Sequence, residues 1–457
     1  MALYRTCISN NCNTFFSACY IYTIWKEEVE KTNGIQILTL SIFIITYIII
    51  FSGRFERSVS ALLGVLMMVS IGYIFNFLNF EDLIAHVNWD VIILLFGMMT
   101  YVGLMAKTGF FKYLAVESIK LSKGKPWFIF LYLSLITTFV SMIIDNVTTI
   151  LLIIPLTVEV AEMLGINPIP IMMGEAILSD IGGVGTMVGD PPNIMIAFSS
   201  GYTFNDFIIH LFPPVLISLF LSIILARIVY RRWLNKNAEN VEELMKLNPH
   251  RYIRNKKKMK YYLFILFGMV FFFSTETYTG ISPAFIALAG GIIALIVSVE
   301  ETKEAFRAVE WSTLVFFIAL FSLVGGLEET GLLNELANGI SSLSSNPLII
   351  SILILWVSGI TSSFVDNIPI TAAFIPIVSS IASSYNSGTM WWALAMGVGM
   401  GGNITPIGSS ANVITVMLSK RYGHEITNKE WVKFGSLAGI LTMLVCSAFL
   451  VVWHLIT

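Results

Sequence analysis

The sequence predicts an all-α polytopic membrane protein built from two inverted repeats of five spans each. Three observations carry that prediction. Of its 457 residues, 56% are hydrophobic and 12% are charged, against about 25% charged in soluble domains. Runs such as 35–51, 61–74 and 434–452 approach the ~20 residues that cross a bilayer. A set of polar and glycine-rich motifs also occurs twice, in the same order, once in each half. An odd number of spans per copy turns the second copy upside down relative to the first, an arrangement typical of secondary transporters.

Residues 1–34 read as an N-terminal extension. Its one apolar stretch, 15–25, precedes Lys26-Glu27-Glu28 and is too short to span a bilayer. Without a small-residue cleavage site, it reads as a surface or interfacial segment or as the product of an upstream start codon. The first repeat, 35–230, carries apolar segments at 35–52, 58–78, 90–106, 127–164, 169–200 and 207–230. A solvated basic linker, 231–260, holds ten Lys or Arg residues. The second repeat, 261–457, carries segments at 261–274, 281–299, 311–326, 347–383, 390–418 and 434–455.

The long segments 127–164 and 347–383 each enter and leave on one side, either as two spans or as a hairpin that dips in and returns. With the linker cytoplasmic, the inside loops are then 53–57, 107–126, 231–260, 300–310 and 419–433, which hold 23 of the 27 Lys and Arg residues. The outside loops 79–89, 201–206, 275–280, 327–346 and 384–389 hold none. Basic residues accumulate on the cytoplasmic side, so the chain is expected in the cell membrane with both termini outside. Arg5, Lys26 and Lys31 in the tail are the dissent.

Net charge of −2 excludes a basic nucleic-acid surface. Cys7, Cys12, Cys19 and Cys446 have no metal-ligand spacing, and His86, His210, His250, His424 and His454 fall in loops or near helix ends, so neither a metal site, a cofactor nor a histidine relay is expected. The expected partners are the lipid bilayer, a small ion or anion as substrate and a second copy of the chain; a soluble ATPase subunit is left undetermined.

The repeat is read from four landmarks. Trp89-Asp90-Val91 matches Trp311-Ser312-Thr313, and Lys107-Thr108-Gly109 matches Glu329-Thr330-Gly331. Asp145-Asn146 matches Asp366-Asn367, with Pro155 and Pro376 each ten residues after the aspartate. Finally GGVGTMVGDPPN (182–193) aligns without gaps on GGNITPIGSSAN (401–412). The shared positions are Gly182 and Gly401, Gly183 and Gly402, Thr186 and Thr405, Gly189 and Gly408, and Asn193 and Asn412.

In 169–200, neither the twelve residues before the glycine run nor the ten after it reach across roughly 30 Å of hydrocarbon at about 1.5 Å per residue. One interrupted helix is therefore expected in each half. Its glycines should allow positive-φ turns and close approach to an ion. Freed carbonyls should hold a cation, and the N–H groups of the second half-helix, which Pro191 suits as a first residue, should favour negative charge. The candidate ion or substrate ligands are the shared break residues together with Asp190, Asn403, Ser409 and Ser410. At the other pair of motifs they are Asp145, Asn146, Thr148 and Thr149, with Asp366, Asn367 and Thr371. Carboxylates at a helix centre are costly and commonly functional; Asp145 and Asp366 can alternatively cap hairpin tips. Asp190 is opposite Ser409, so it breaks the repeat and is the natural carrier of one coupling proton, beside Asp145 and Asp366. Glu175 and Asp180 rank below it, and Glu159 and Glu162 read as boundary residues. No Lys or Arg lies inside a span except Arg227 near an end, so an anion would be held by helix N-termini, hydroxyls and amides.

"DNVTTILLIIP", "ILSDIGGVGTMVGDPPNIMI", "VDNIPITAAFIP" and "GGNITPIGSSANVI" resemble the ion transporter superfamily of arsenite permeases, sodium–proton antiporters and citrate or dicarboxylate carriers. The resemblance covers residues from about 35 to the end and is nearest to the arsenite permease and pink-eyed dilution branch. It implies re-entrant hairpins with tips at 145–149 and 366–371, interrupted helices at 182–193 and 401–412, a scaffold with a transport domain, and dimers. The fold class is thus two inverted repeats of five spans, each with a re-entrant hairpin and an interrupted helix. The sodium–dicarboxylate branch carries Ser-Asn-Thr at its tips, whereas this chain carries Asp-Asn, which points to the proton-linked arsenite side.

The expected function is proton-coupled export of arsenite, antimonite or a related small anion, with H+ or Na+ as the coupling ion and no enzymatic activity. The alternatives are a sodium–proton antiporter, a di- or tricarboxylate carrier of the citrate type, and a passive anion channel. An intramembrane aspartyl protease is the remote one, because Met187-Val188-Gly189-Asp190 lacks the first glycine of the Gly-x-Gly-Asp pattern that resembles that family.

Overall fold

The computed structural model describes residues 34–50, 52, 54–235, 238–298 and 302–456. The expectations for residues 1–33, including Cys7, Cys12 and Cys19, lie outside the described residues. Among the described residues every regular element is helical. The first half contains α1 (Gly34–Ile50), α2 (Arg57–Phe75), α3 (Trp89–Lys107), α4 (Pro126–Ser141), α5 (Asn146–Met163), α6 (Ile169–Gly183), α7 (Pro191–Ser200) and α8 (Phe204–Val229). The second contains α9 (Lys256–Ser274), α10 (Pro283–Val297), α11 (Trp311–Glu329), α12 (Pro347–Phe364), α13 (Asn367–Tyr385), α14 (Thr389–Gly401), α15 (Ser410–Arg421) and α16 (Leu437–Ile456). Among the described residues eight helices are long and apolar enough to cross a membrane. The chain is a multi-pass membrane protein.

Local chemistry accounts for where these helices start and stop. Pro126 and Pro347 open α4 and α12, where a missing N–H costs nothing. Asp145 caps α5 through Thr148 N at 2.8 Å, and Thr203 with Asp206 forms a capping box at the start of α8. Gly201, at φ 75°, ends α7 in the left-handed region, where a residue without Cβ is favoured.

The helices group into two compact units, each drawing on both halves of the sequence. In the smaller, residues up to Val87 join Ala319–Glu335. There Gln36 Nε2 donates to Thr330 O at 3.0 Å and Glu335 Oε1 at 3.1 Å, and His86 Nε2 meets Glu329 Oε1 at 3.0 Å.

The larger unit comprises Asn88–Ile318 and Leu336–Thr457. In it α4 packs along α6 as α12 packs along α14, and α5 pairs with α15 as α7 pairs with α13. The linker is not simply solvated. Glu239 N donates to Leu164 O at 2.9 Å, Arg254 N to Thr108 O at 2.9 Å, and Lys120 Nζ to Leu247 O at 2.8 Å. It is tied across three helix ends.

Helices α3 and α10 approach closely because Gly97 and Gly291 face each other's backbones. A Cβ added at Gly97 would lie 2.5 Å from Ala287 C and O. Small residues at such crossings let helix backbones touch. Gly97→Ala should therefore destabilise by about 1–3 kcal/mol through overpacking. Gly268→Ala, with nothing within 4 Å of the new methyl, should stay within about 0.5 kcal/mol. Thermal unfolding of the two variants in detergent checks the contrast.

Candidate functional site

The site is built around two helix breaks. Between α6 and α7 the chain runs irregularly from Val184 to Asp190, and every residue from 170 to 197 is buried. Irregular backbone at membrane depth needs protein around it. Its carbonyls are bonded from within. Asn193 Nδ2 is placed against Val184 O at 3.0 Å, Thr186 O at 2.8 Å and Gly183 O at 3.4 Å. Thr186 Oγ1 donates to Met142 O and accepts from Gly189 N at 3.1 Å.

The second break repeats this pattern at matched positions. Asn412 Nδ2 donates to Gly402 O at 3.2 Å, and Thr405 Oγ1 to Ser363 O. Ser362 Oγ donates to Val398 O at 2.8 Å, as Ser141 Oγ does to Ser179 O at 2.8 Å. Asn403 adds its own tie, with Nδ2 on Ile177 O at 3.4 Å while its carbonyl accepts from Trp431 Nε1 at 3.1 Å.

Two expectations about the breaks are corrected. None of Gly182, Gly183, Gly189, Gly401, Gly402 and Gly408 has positive φ. These glycines are needed for space: a Cβ at Gly182 would lie 2.5 Å from Thr138 O, one at Gly401 2.6 Å from Gly359 C, one at Gly189 2.7 Å from Ser141 O, and one at Gly408 2.8 Å from Ser362 O. The N-terminus of α7 is also poor in N–H groups. Pro191 and Pro192 have none, and Asn193 N already bonds Asp190 O at 3.0 Å. Asp190, in the capping position, therefore makes no side-chain cap. Ser409, with nearly the same backbone (φ −140°, ψ 145° against −140°, 134°), does cap α15, accepting from Ala411 N at 3.2 Å.

The carboxylate that the prolines leave uncapped meets the second hairpin tip. Asn367 Nδ2 donates to Asp190 Oδ2 at 3.1 Å and Oδ1 at 3.3 Å. At the first tip, Asn146 Nδ2 donates to Asp180 Oδ1 at 2.7 Å, and Ser409 Oγ donates to the same oxygen at 2.9 Å. Each tip asparagine thus holds one aspartate. The position matching Asp180 is Gly399, whose added Cβ would lie 3.9 Å from Asp190 Oδ2. The two pairs sit at equivalent places, with the carboxylate supplied by α6 in one and by the start of α7 in the other.

The remaining candidates surround these pairs. Asp366 accepts from Ile368 N at 3.4 Å and from Ser410 Oγ. Thr149 Oγ1 donates to Asp145 O at 3.0 Å and Thr371 Oγ1 to Asn367 O at 2.8 Å, bracing the tips. Asp145, Asp180 and Asp366 all lie close enough to Asp190 for like-charge repulsion. Asp145 and Asp366 are therefore caps and also members of the carboxylate group.

Asp180, placed below Asp190 in the sequence reading, accepts from both Asn146 and Ser409, and Glu310 was not among the sequence candidates. Glu310, just before α11, accepts from Thr313 Oγ1 at 3.0 Å. Burial, and then the Asp145 charge, push its pKa above the usual carboxylate range. Glu175 is fully buried with Oε1 bonded by Thr157 Oγ1 at 2.5 Å. Among the described residues, Glu175 Oε2, Asp180 Oδ2 and Asn412 Oδ1 are buried without a hydrogen-bond partner. The available signal for Asp180 was its place two residues before the break motif at Gly182.

Removing the Asn193 amide would orphan buried carbonyls, each worth about 1–3 kcal/mol. Asn193→Ala should lower the melting temperature in detergent clearly. Asn205→Ala, whose amide bonds one carbonyl, Ser274 O, in a half-buried position, should have a smaller effect in the same assay.

Comparison with known proteins follows the same lines. The citrate transporter family (CitMHS) matches residues 47–397. A 46 kDa membrane protein of Mycobacterium leprae is 37% identical over 438 residues, covering 92% of this chain and 99% of that one. An uncharacterized transporter of Mycobacterium bovis is 35% identical, covering 91% and 98%. The human P protein is 28% identical over 88% of this chain and 58% of its own length. In fold, the crystal structure of the Alcanivorax borkumensis YdaH transporter superposes with a TM-score of 0.60 at 13% identity, covering 87% of this chain and 98% of that one. With most of its length matched, including both hairpin tips and the first break, this chain belongs to the citrate transporter (CitMHS) family of transporters.

Proposed function

We propose that the protein is a proton-coupled exporter of a small oxyacid of the arsenite and antimonite kind, with Asp180 and Asp190 as the proton-carrying carboxylates. One observation carries this reading: four aspartates share one site, and no Lys or Arg occurs from 126 to 226 or from 308 to 419. A buried carboxylate that has no cation beside it is costly, and a bound proton or metal cation relieves it.

The partners on these carboxylates are donors, the amides of Asn146 and Asn367 and the Ser409 hydroxyl. Donors suit exchange of a proton more than coordination of Na+, which needs oxygen lone pairs. Asp180 Oδ2, buried and without a partner among the described residues, is the open position for that proton. A neutral oxyacid can approach such a cluster without electrostatic penalty. Export is part of this reading: with the linker taken as cytoplasmic, an inward proton gradient would drive the oxyacid outward by exchange.

The family match favours a second reading, citrate. A tricarboxylate facing four aspartates would have to arrive with neutralising cations. Sodium–proton exchange without an oxyacid is the remaining alternative.

Purified protein in liposomes, offered arsenite, citrate with and without divalent cations, chloride and sodium, separates these readings. Arsenite flux should rise with an imposed pH gradient. Asp180→Asn and Asp190→Asn should each lower that flux about tenfold or more, the equivalent of one charge-assisted hydrogen bond of roughly 1.5–3 kcal/mol. Citrate flux that ignores the pH gradient, or arsenite flux unchanged in both variants, would overturn the proposal.

A further inference from the structure

Helices α7 and α13 run side by side, starting at the Asp190–Asn367 pair. At their far ends they open into a cavity of about 420 Å³. Its walls are Ser199 and Ser200 from α7, Ser379 and Ser383 from α13, and Tyr202 and Trp391 beyond them. At about 30 Å³ per water, this space holds on the order of a dozen waters. Because α6 and α7 are the two pieces of one interrupted helix, Ser200 lies at the end opposite Ile169 and the linker contact at Leu164.

The lining contains no Lys, Arg, Asp or Glu. Its hydroxyl hydrogens are partly committed already. Ser383 Oγ donates to Ser379 O at 2.8 Å and Ser200 Oγ to Ala197 O at 3.4 Å. A serine that bonds back to its own helix turns lone pairs, not a hydrogen, toward the cavity. Asn386, Tyr202 and Trp391 in the same lining bring N–H and O–H donors. The wall therefore both accepts and donates without carrying charge, which fits a neutral solute with O–H groups and supplies no cation to a carboxylate.

The matching end of the α5–α15 pair is different. Ser383 corresponds to Glu162, which is paired with His424 Nε2 at 3.2 Å. The linker covers the same end, with Glu239 N on Leu164 O at 2.9 Å and Asn240 Nδ2 on Met163 O at 3.2 Å. One end of the frame is an open, uncharged cleft, while the other carries the Glu162–His424 contact and a strap.

We propose that the serine-lined cleft at the ends of α7 and α13 is an access site for a small, neutral, hydroxyl-bearing solute on the face opposite the basic linker. The site joins the Asp190–Asn367 pair along the seam between the two helices, and in an exporter it is the point of release. This deepens the oxyacid reading above and rests on it for the direction of flow, but not for binding.

The test uses the full chain in liposomes, with Cys7, Cys12 and Cys19 changed to serine and the buried Cys446 kept. In that background Ser383→Cys is labelled with a membrane-impermeant maleimide, with boric acid as probe because it is neutral, carries three hydroxyls and does not consume thiols. Labelling should occur from the face opposite the linker, be slowed several-fold by boric acid and be unaffected by citrate. Labelling from the linker face, or protection by citrate instead of boric acid, or no protection by either, would overturn the proposal. For flux, Ser383→Glu should raise the KM for arsenite about tenfold from that face while leaving the maximal rate nearly unchanged, the signature of lost binding alone. An equal KM change from both faces would also overturn it. If the unsubstituted chain moves no arsenite while boric acid still protects Ser383→Cys, the oxyacid transport reading fails and the access site stands.

Discussion

The structure depends on one requirement: a helix broken inside a membrane protein must have its freed peptide groups bonded by the protein itself. Asn193 and Asn412 meet it by placing their side-chain amides on the carbonyls of the two breaks. Those bonds hold only if each asparagine sits one turn into the second half-helix and the break folds back against the first. That geometry brings the break against the hairpin, where Thr186 and Thr405 reach Met142 O and Ser363 O. The contact is backbone to backbone, so glycine is required at the crossing points. Stitch, hairpin and glycines form one mechanical arrangement, built twice.

The chemistry of the site arises where the two copies diverge on this common frame. Asp190 and Ser409 have almost the same backbone angles, yet Ser409 caps its helix and Asp190 does not. Pro192 removes one of the two amide hydrogens that an N-cap side chain ordinarily accepts, and the other, on Asn193 N, already bonds Asp190 O. The carboxylate turns instead to Asn367. In the other pair, Ser409 adds its hydroxyl to Asn146 on Asp180. The frame is thus symmetric while the charges are not: both paired carboxylates belong to the first half, one on each side of its break.

The frame was largely legible in the sequence because its demands are tied to single positions. A glycine facing a backbone carbonyl, or an asparagine holding three of them, leaves an identity that alignment of one half on the other reveals. The interrupted helix at 182–193 and the candidate sites at both tips follow from that signal. Asp180 was harder to place, since its partners Asn146 and Ser409 lie on two other helices and the spacing from Glu175 carried no information about either. The positive-φ expectation failed because glycine has two uses, and sequence does not tell freedom of φ from lack of a Cβ. The linker's ties to Leu164, Thr108 and Lys120 were equally hidden. Each ends on a backbone carbonyl, which every residue type supplies, and two of the three also start from a backbone N–H.

Matched frames with unmatched ends have a consequence for how such a molecule could work as a transporter. The stitches at the breaks and the Ser141 and Ser362 bonds occur in both halves, so a change that exchanges the roles of the two ends need not break them. What differs between the ends is confined to a few groups: Ser383 and open space at one, Glu162 with His424 and the linker at the other. Transporters built from inverted repeats move between states by rocking one part of the frame about a central site. The free-energy gap between such states is set by the contacts that are not shared, because shared contacts cancel. A half-exposed side-chain contact such as Glu162–His424 is a small term. Small unshared terms on a large shared frame are the condition under which both end states stay within reach of a bound proton or solute.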